Sequence, residues 1–192
     1  MITLIYITRL WLITLYILNI IAFIILAVKF HKMKPVIEKK KGPLPTPGSL
    51  LTWGVPLFFL LTQLGEISTN YFALQIIGLT LSFYHLIMNI WAVRTMGKHF
   101  VPGSGVFQNQ KLVTNGPFRF MRHPIYSAHI ALWLGTALAT SNWILLITWP
   151  LYVAIMYFGP VREEEKLLNT KFGATFQKYC ENTGKIFFKI KQ

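Results

Sequence analysis

Acidic side chains are scarce in this chain: six against 19 Lys and Arg in 192 residues, and all six are glutamate. A single cysteine, Cys180, excludes an internal disulfide and a thiolate metal centre, and no metal site is expected; the thiol reads as a small half-buried group on a helix. No segment repeats, which disfavours a transporter built from inverted halves. No secretory leader is expected either. The first apolar run has neither a basic leader nor a small-residue cleavage site, so it is expected to stay as a membrane span.

What the chain has in excess is apolar surface. Hydrophobic residues make up 54% of it and mean hydropathy is +0.49, the composition of a polytopic membrane protein. The net charge of +13 does not point to nucleic acid, because the basic residues fall in three blocks separated by apolar segments. At about 20 apolar residues per crossing, spans are predicted over residues 10 to 28, 49 to 67 with Pro56 inside, 71 to 93, 124 to 140, and 143 to 159 with Pro150 as a kink. Arg9 is expected to snorkel from the outer end of the first. Lys29, Lys32, Lys34, Lys39, Lys40 and Lys41 follow span one, and Arg94, Lys98, Lys111, Arg119 and Arg122 follow span three. The connections after spans two and four carry no Lys or Arg. By the positive-inside rule the N-terminus lies outside and the C-terminus in the cytoplasm. The expected fold is therefore all-α, a polytopic membrane bundle of five transmembrane helices plus a C-terminal amphipathic cytosolic helix. Residues 1 to 93 form spans one to three with a basic cytosolic loop, and residues 94 to 192 a second loop, a transmembrane hairpin and the terminal helix. That helix runs from 161 to 182, where Leu167, Leu168, Phe172, Phe176 and Tyr179 recur near the helical period and Gly173 is a break point. Small size and a lysine- and isoleucine-rich composition suggest a prokaryotic plasma membrane.

Chemistry concentrates in the loop from Gln110 to Tyr126. Its backbone amides, the Arg119 and Arg122 guanidiniums and the His123 imidazole suit a carboxylate or phosphate and a flat heterocycle. The plainer alternatives are lipid headgroup binding and topogenic charge for Arg122 and Lys111, and His123-Pro124 as a simple helix start. Glu163, Glu164 and Glu165 occupy successive helix positions about 100° apart, so at most one or two face a given pocket. Glu163 suits the helix macrodipole, which leaves Glu164 and Glu165 to weigh. Within the spans, His85 and Asn89 lie one turn apart beside Tyr84. Polar groups at that depth face the bundle interior, either as an interhelical hydrogen bond or as a pocket wall. His129 lies near the loop in span four, and Trp91, Trp133, Trp143 and Trp149 read as interfacial anchors or packing residues.

Three elements in order carry a resemblance: Leu112-Val113-Thr114-Asn115-Gly116-Pro117-Phe118, then Arg122-His123-Pro124-Ile125-Tyr126, then Glu164-Glu165-Lys166-Leu167-Leu168 through Phe172-Gly173 and Tyr179. Over residues 90 to 190 the chain resembles the isoprenylcysteine carboxyl methyltransferase family and its phospholipid methyltransferase relatives. The resemblance implies an S-adenosyl-L-methionine site at the cytosolic face and a membrane lipid or lipophilic small molecule as substrate. It implies Gln110, Lys111, Leu112, Val113, Gly116, Phe118, His123, Pro124, Ile125, Tyr126 and Glu164 as cofactor-binding, with Glu164 offsetting the ammonium, His123 and nearby amides holding the amino-acid end, and Leu112, Val113 and Phe118 bordering the adenine. Glu164, Glu165, Arg162 and Arg119 are the candidate catalytic residues.

Two positions depart from the family pattern. Gln110 stands where the family has histidine, and Pro160 where it has a substrate-carboxylate arginine. Arg162 is about 200° away on an ideal helix and replaces that arginine only if Pro160 reshapes the backbone; Arg119 is the other substitute. Carboxyl O-methylation of an isoprenylcysteine-like acceptor is the first reading. Phospholipid N-methylation follows. The C-terminal half is also similar to NADPH-dependent membrane sterol reductases. Methyl transfer from a sulfonium needs mainly alignment and dehydration, whereas an amine or phenol acceptor adds a base, for which Glu164, Glu165 and His129 are candidates.

Overall fold

The computed structural model describes residues 2–30, 47–67, 71–100 and 109–189. Lys32, Lys34, Lys39, Lys40 and Lys41 of the predicted basic loop lie outside them. Among the described residues seven α-helices follow one another: α1 Ile2–Phe30, α2 Pro47–Thr62, α3 Phe72–Met96, α4 Pro124–Ala139, α5 Trp143–Met156, α6 Arg162–Phe172 and α7 Ala174–Asn182. No strand forms among the described residues, as expected of an all-α chain. Helices occur at all five predicted spans. Three are long and apolar enough to cross a membrane: Tyr6–Leu26, Phe72–His99 and Trp143–Phe172. Helices α2 and α4 have 16 residues each, about 24 Å at 1.5 Å per residue, against a hydrocarbon core of about 30 Å.

Helix α4 is the hub. Its Ser127, Ala128, Ile130, Leu132, Trp133, Thr136, Ala137 and Ala139 are all buried. On one side Trp133 stacks on Tyr152 of α5, centroids 4.2 Å apart, and its indole N–H donates to the Leu145 carbonyl at 3.1 Å. On another, Leu132 and Ala139 pack with Leu12 and Tyr16 of α1 and Leu60 of α2, and the Tyr16 hydroxyl lies 2.9 Å from Thr136 Oγ1. The approach to α3 is closest, made by two glycines. A Cβ on Gly135 would sit 2.7 Å from the Gly78 carbonyl oxygen and 2.7 Å from Ser82 Oγ. Trp133 and Trp149 are packing residues, while Trp91 and Trp143 are exposed.

Arg9, near the start of α1, pairs with Glu66 in the turn after α2. Asn142, in the turn after α4, donates to the Leu64 carbonyl at 2.7 Å and accepts from the Leu145 N–H at 3.0 Å, so the two charge-poor turns share one end of the bundle with Arg9. One expectation needs correction: span five does not stop at Gly159. It continues through a π-helical turn, Tyr157–Val161, into α6; Pro160 has no N–H to donate and its ring clashes with the preceding turn, and a wider turn relieves both. The C-terminal segment breaks at the expected point, Gly173, which takes φ +49°, a left-handed value that ends α6.

Candidate functional site

The Gln110 to Tyr126 loop docks at the end of α3. Residues Gly116–Arg119 form a 3-10 turn with Pro117 in its first positions, and a Cβ on Gly116 would lie 2.6 Å from Thr95 Oγ1, so only glycine allows the loop to lie this close to α3. The Lys111 N–H donates to His99 Nδ1 at 3.3 Å, and the Tyr179 hydroxyl of α7 donates to the carbonyl of buried Phe118. The loop thereby spans from α3 to the C-terminal segment.

After α7 the chain returns alongside the loop. The Arg122 N–H donates to the Gly184 carbonyl at 2.8 Å and the His123 N–H to the Lys185 carbonyl at 3.0 Å. This short parallel pairing fixes His123, whose carbonyl in turn accepts from Ser127 in the first turn of α4 at 3.0 Å. The His123 side chain is buried and meets both carboxylates of α6: Nε2 lies 3.3 Å from Glu165 Oε1 and Nδ1 lies 3.6 Å from Glu164 Oε2. Burial by itself would depress the histidine, yet hydrogen bonds and charge from Glu164 and Glu165 win and raise its pKa above the ordinary 6.5.

The two carboxylates are unequal. Glu165 Oε1 is 2.9 Å from the Arg122 guanidinium and Oε2 is 2.7 Å from Lys185 Nζ, which also rests 4.6 Å above the Tyr157 ring. The same Arg122 donates to the carbonyls of Cys180 and Thr183. Glu165 is thus a hub whose charge is compensated by Arg122, Lys185 and His123. Glu164 is more exposed, 27% of its side chain against 16%, and its one ionic contact among the described residues is the longer one to His123. A carboxylate in that state retains lone pairs for an incoming cationic group.

Of the residues expected at the site, the structure therefore joins His123, Glu164 and Glu165, with the Tyr126 ring 5.7 Å from the imidazole. Pro124 and Ile125 begin α4; Gln110, Leu112 and Val113 are half-buried in the loop, and Lys111 is exposed. Arg119 is exposed and lies 4.8 Å over the Phe120 ring, and Arg162 is exposed although Pro160 does widen the backbone before it. Neither meets the carboxylates. Lys185 and Tyr157 went unanticipated. Nothing in helical periodicity marks Lys185, since it reaches the site from an irregular segment by way of the pairing at Gly184.

Comparison with known proteins adds to this geometry. Residues 73–175 match the phospholipid methyltransferase family. A "Probable protein-S-isoprenylcysteine O-methyltransferase" of Oryza sativa subsp. indica is 26% identical over 114 residues, 58% of this chain and 60% of that protein. "Protein-S-isoprenylcysteine O-methyltransferase B" of Arabidopsis thaliana is 29% identical over 106 residues, 54% of each chain. The "Cobalt-zinc-cadmium resistance protein CzcN" of Cupriavidus metallidurans is 31% identical over 83 residues, 43% of this chain and 38% of that one. The chain spans 60% or less of the length of these relatives.

Proposed function

This chain belongs to the phospholipid methyltransferase family, and from that premise we propose that it is an integral membrane methyltransferase transferring a methyl group from S-adenosyl-L-methionine to a lipophilic acceptor. One observation carries the reading: the Arg122-His123-Pro124 turn is locked against the Glu164-Glu165 pair, with Glu165 saturated and Glu164 left with acceptor capacity. The donor, when bound, supplies a methyl activated by its sulfonium. Around it, Glu164 holds the ammonium, His123 and the loop amides the amino-acid end, and Leu112, Val113 and Phe118 border the adenine. Gln110, Lys111, Gly116, Pro124, Ile125 and Tyr126 complete the wall. The role of Glu165 is to orient His123, and exclusion of water falls to the loop and the returning segment.

In this reading all five long helices cross the bilayer, with α2 and α4 about 6 Å short of the hydrocarbon core and accommodated by local thinning. The Arg9 and Asn142 end lies outside, the clasp and the C-terminus in the cytoplasm, and α6 and α7 at the cytosolic membrane surface. A prokaryotic plasma membrane is the setting that the composition favours.

For the acceptor, the relatives' names point to a protein isoprenylcysteine and the family's to a phospholipid. A carboxylate lacks the guanidinium expected from the Pro160 position, and Arg119 and Arg162 are both exposed. The reductase alternative requires several basic contacts for a dinucleotide phosphate. Arg122 and Lys185 are already engaged by Glu165, which weighs against it.

Calorimetry on the detergent-solubilised protein tests the proposal. S-adenosylhomocysteine binds and NADPH does not; Glu164→Gln weakens the former at least about tenfold, one lost charge-assisted contact of roughly 1.4 kcal/mol or more. Unchanged affinity in that variant, or preference for NADPH, rejects the assignment.

A further inference from the structure

We propose that an aromatic platform of Trp91, Phe120 and Phe188, rimmed by Arg94 and Arg119, docks an anionic phospholipid of the cytosolic leaflet, and that lipid seated there holds the clasp around His123 closed. The inference goes beyond the methyltransferase reading and needs only its placement of the clasp at the membrane surface. The three rings come from α3, the loop before α4 and the segment after α7. Trp91 and Phe120 have centroids 6.5 Å apart at 61°, and Phe120 and Phe188 5.9 Å apart at 75°, both edge-to-face. Packed on one another, they still face outward: Trp91 is 42% exposed, Phe120 40% and Phe188 61%. A contiguous apolar patch of this kind marks an interaction surface.

Its position in the fold says what covers it. The apolar stretch that contains α3 runs Phe72–His99, and Trp91 stands five residues before the end of α3 at Met96, about 7.5 Å along the helix. Aromatic rings collect at that depth, where acyl chains give way to headgroups. Two contacts set the course of the loop beside it. Gly116 packs on Thr95 and Phe120 on Trp91, so the loop runs back along α3 and brings Phe120 to the depth of Trp91. Phe188 follows through its contact with Phe120. A soluble partner does not reach rings at that depth, whereas lipid surrounds them.

The charge at the rim narrows the lipid. Arg94 lies three positions beyond Trp91 in the last turn of α3, and so on the same face; Arg119 extends over the Phe120 ring, 4.8 Å from its centroid. Both are exposed, and among the described residues neither is paired with a carboxylate. The chain has six glutamates against 19 Lys and Arg, so counter-charge for these two comes from outside. A guanidinium held over a ring keeps N–H donors for a phosphate, and an anionic leaflet attracts each such residue. A zwitterionic lipid offsets its own phosphate and satisfies the pair less well. A second copy of the chain would set Arg94 and Arg119 against like charges.

The platform is continuous with the clasp. Phe120 stands two residues before Arg122 and Phe188 three after Lys185, and between them the two segments pair through the Arg122 and His123 N–H groups and the Gly184 and Lys185 carbonyls. Ile186 is buried in the core, and Gly184 allows the tight turn that follows it, since a Cβ there would lie 1.9 Å from the Phe187 carbonyl oxygen. The backbone pairing itself is two hydrogen bonds, a modest contribution. Lipid that covers Phe120 and Phe188 together binds the two segments as a pair and not apart, which stabilises the paired arrangement by mass action. That arrangement is what sets His123 and Lys185 against Glu165.

The test titrates the full-length protein in neutral detergent, by calorimetry, with short-chain phosphatidylglycerol, phosphatidylcholine of the same chain length, and inorganic phosphate. Phosphatidylglycerol binds about tenfold tighter than phosphatidylcholine at low salt, and the preference falls as salt is raised. Arg94→Gln and Arg119→Gln each lose about fivefold of that affinity, and Phe188→Ser loses about threefold. Lys178→Gln, at an exposed position of α7, changes it less than about twofold. Hydrogen exchange reads the coupling. With phosphatidylglycerol at about ten times its Kd, the Arg122 and His123 amides exchange about tenfold more slowly, and in Phe188→Ser about fourfold at the same lipid concentration. If Arg94→Gln does not fold, Arg119→Gln and Phe188→Ser decide. Equal affinity for the two lipids, displacement by inorganic phosphate at similar concentration, an equal loss in Lys178→Gln, or unprotected amides overturns the inference, as does a lipid-independent dimer that Phe188→Ser dissolves. None of these outcomes bears on S-adenosylhomocysteine binding, so the methyltransferase reading stands or falls separately.

Discussion

Glu164 and Glu165 are neighbours in sequence and identical in chemistry, and their surroundings give them different work. Glu165 is held by Arg122, Lys185 and His123, and Glu164 by one long contact to His123. The histidine between them makes the clasp sensitive to pH. Its pKa is raised in the folded protein, so its contribution to stability is complete below the ordinary 6.5 and is lost as pH rises through the higher folded-state value. Thermal unfolding of the solubilised protein is expected to show a melting temperature that declines over that window, and His123→Gln should flatten the decline while lowering stability at acid pH. The groups facing His123 are Glu164, Glu165 and, through Glu165, Arg122 and Lys185. At this scale the sequence disclosed Arg122, His123 and the glutamate pair, because each belongs to a compact motif. It concealed Lys185, whose approach depends on the chain reversing after α7 and pairing at Gly184, a long-range contact without a local signature.

Between elements, the crossing of α3 and α4 decides the most, because it places His85 against His129 and the end of α3 against the loop. That crossing depends on an absence of side chain. A Cβ on Gly135 meets the Gly78 carbonyl and Ser82 Oγ, both at 2.7 Å, and a backbone carbonyl inside a helix cannot yield as a flexible side chain can. Gly135→Ala is therefore expected to destabilise by about 1–3 kcal/mol through overpacking, read as a lower melting temperature, while Gly54→Ala, at a position with nothing within 4 Å of the added carbon, leaves it within a few degrees. An unchanged melting temperature in Gly135→Ala would mean that the two helices are farther apart. Hydropathy located these helices but misjudged the fifth, since a π-helical turn keeps the chain helical through Pro160 into a polar segment. Apolar periodicity does not register such a turn, which is a backbone answer to a missing N–H.

Across the whole molecule, the ion pairs among the described residues gather at two ends. Arg9, Glu66 and Asn142 tie together the start of α1 and the turns after α2 and α4, and the clasp occupies the other end. The Arg9 to Glu66 pair is largely buried, with Glu66 Oε1 and Arg9 Nε lacking hydrogen-bond partners among the described residues. Breaking it strands a carboxylate. Arg9→Met is expected to cost about 3–5 kcal/mol, and the double variant Arg9→Met with Glu66→Gln to recover a large part of that, measured by equilibrium unfolding in detergent. A double variant no better than the single would mean that the pair acts through packing alone.

The amino-acid sequence by itself determined the all-helical class, the positions of the long helices, the break at Gly173 and the motifs that meet in the clasp. Those are local properties, set by hydropathy, proline and glycine over a few turns. Tertiary structure alone decided which glutamate is neutralised, that Arg119 and Arg162 stay at the surface, that Lys185 joins the site, and that two histidines 44 positions apart share a hydrogen bond. Each of these depends on how separate helices cross, and crossing geometry follows from the summed packing of many side chains, which no single stretch of sequence records.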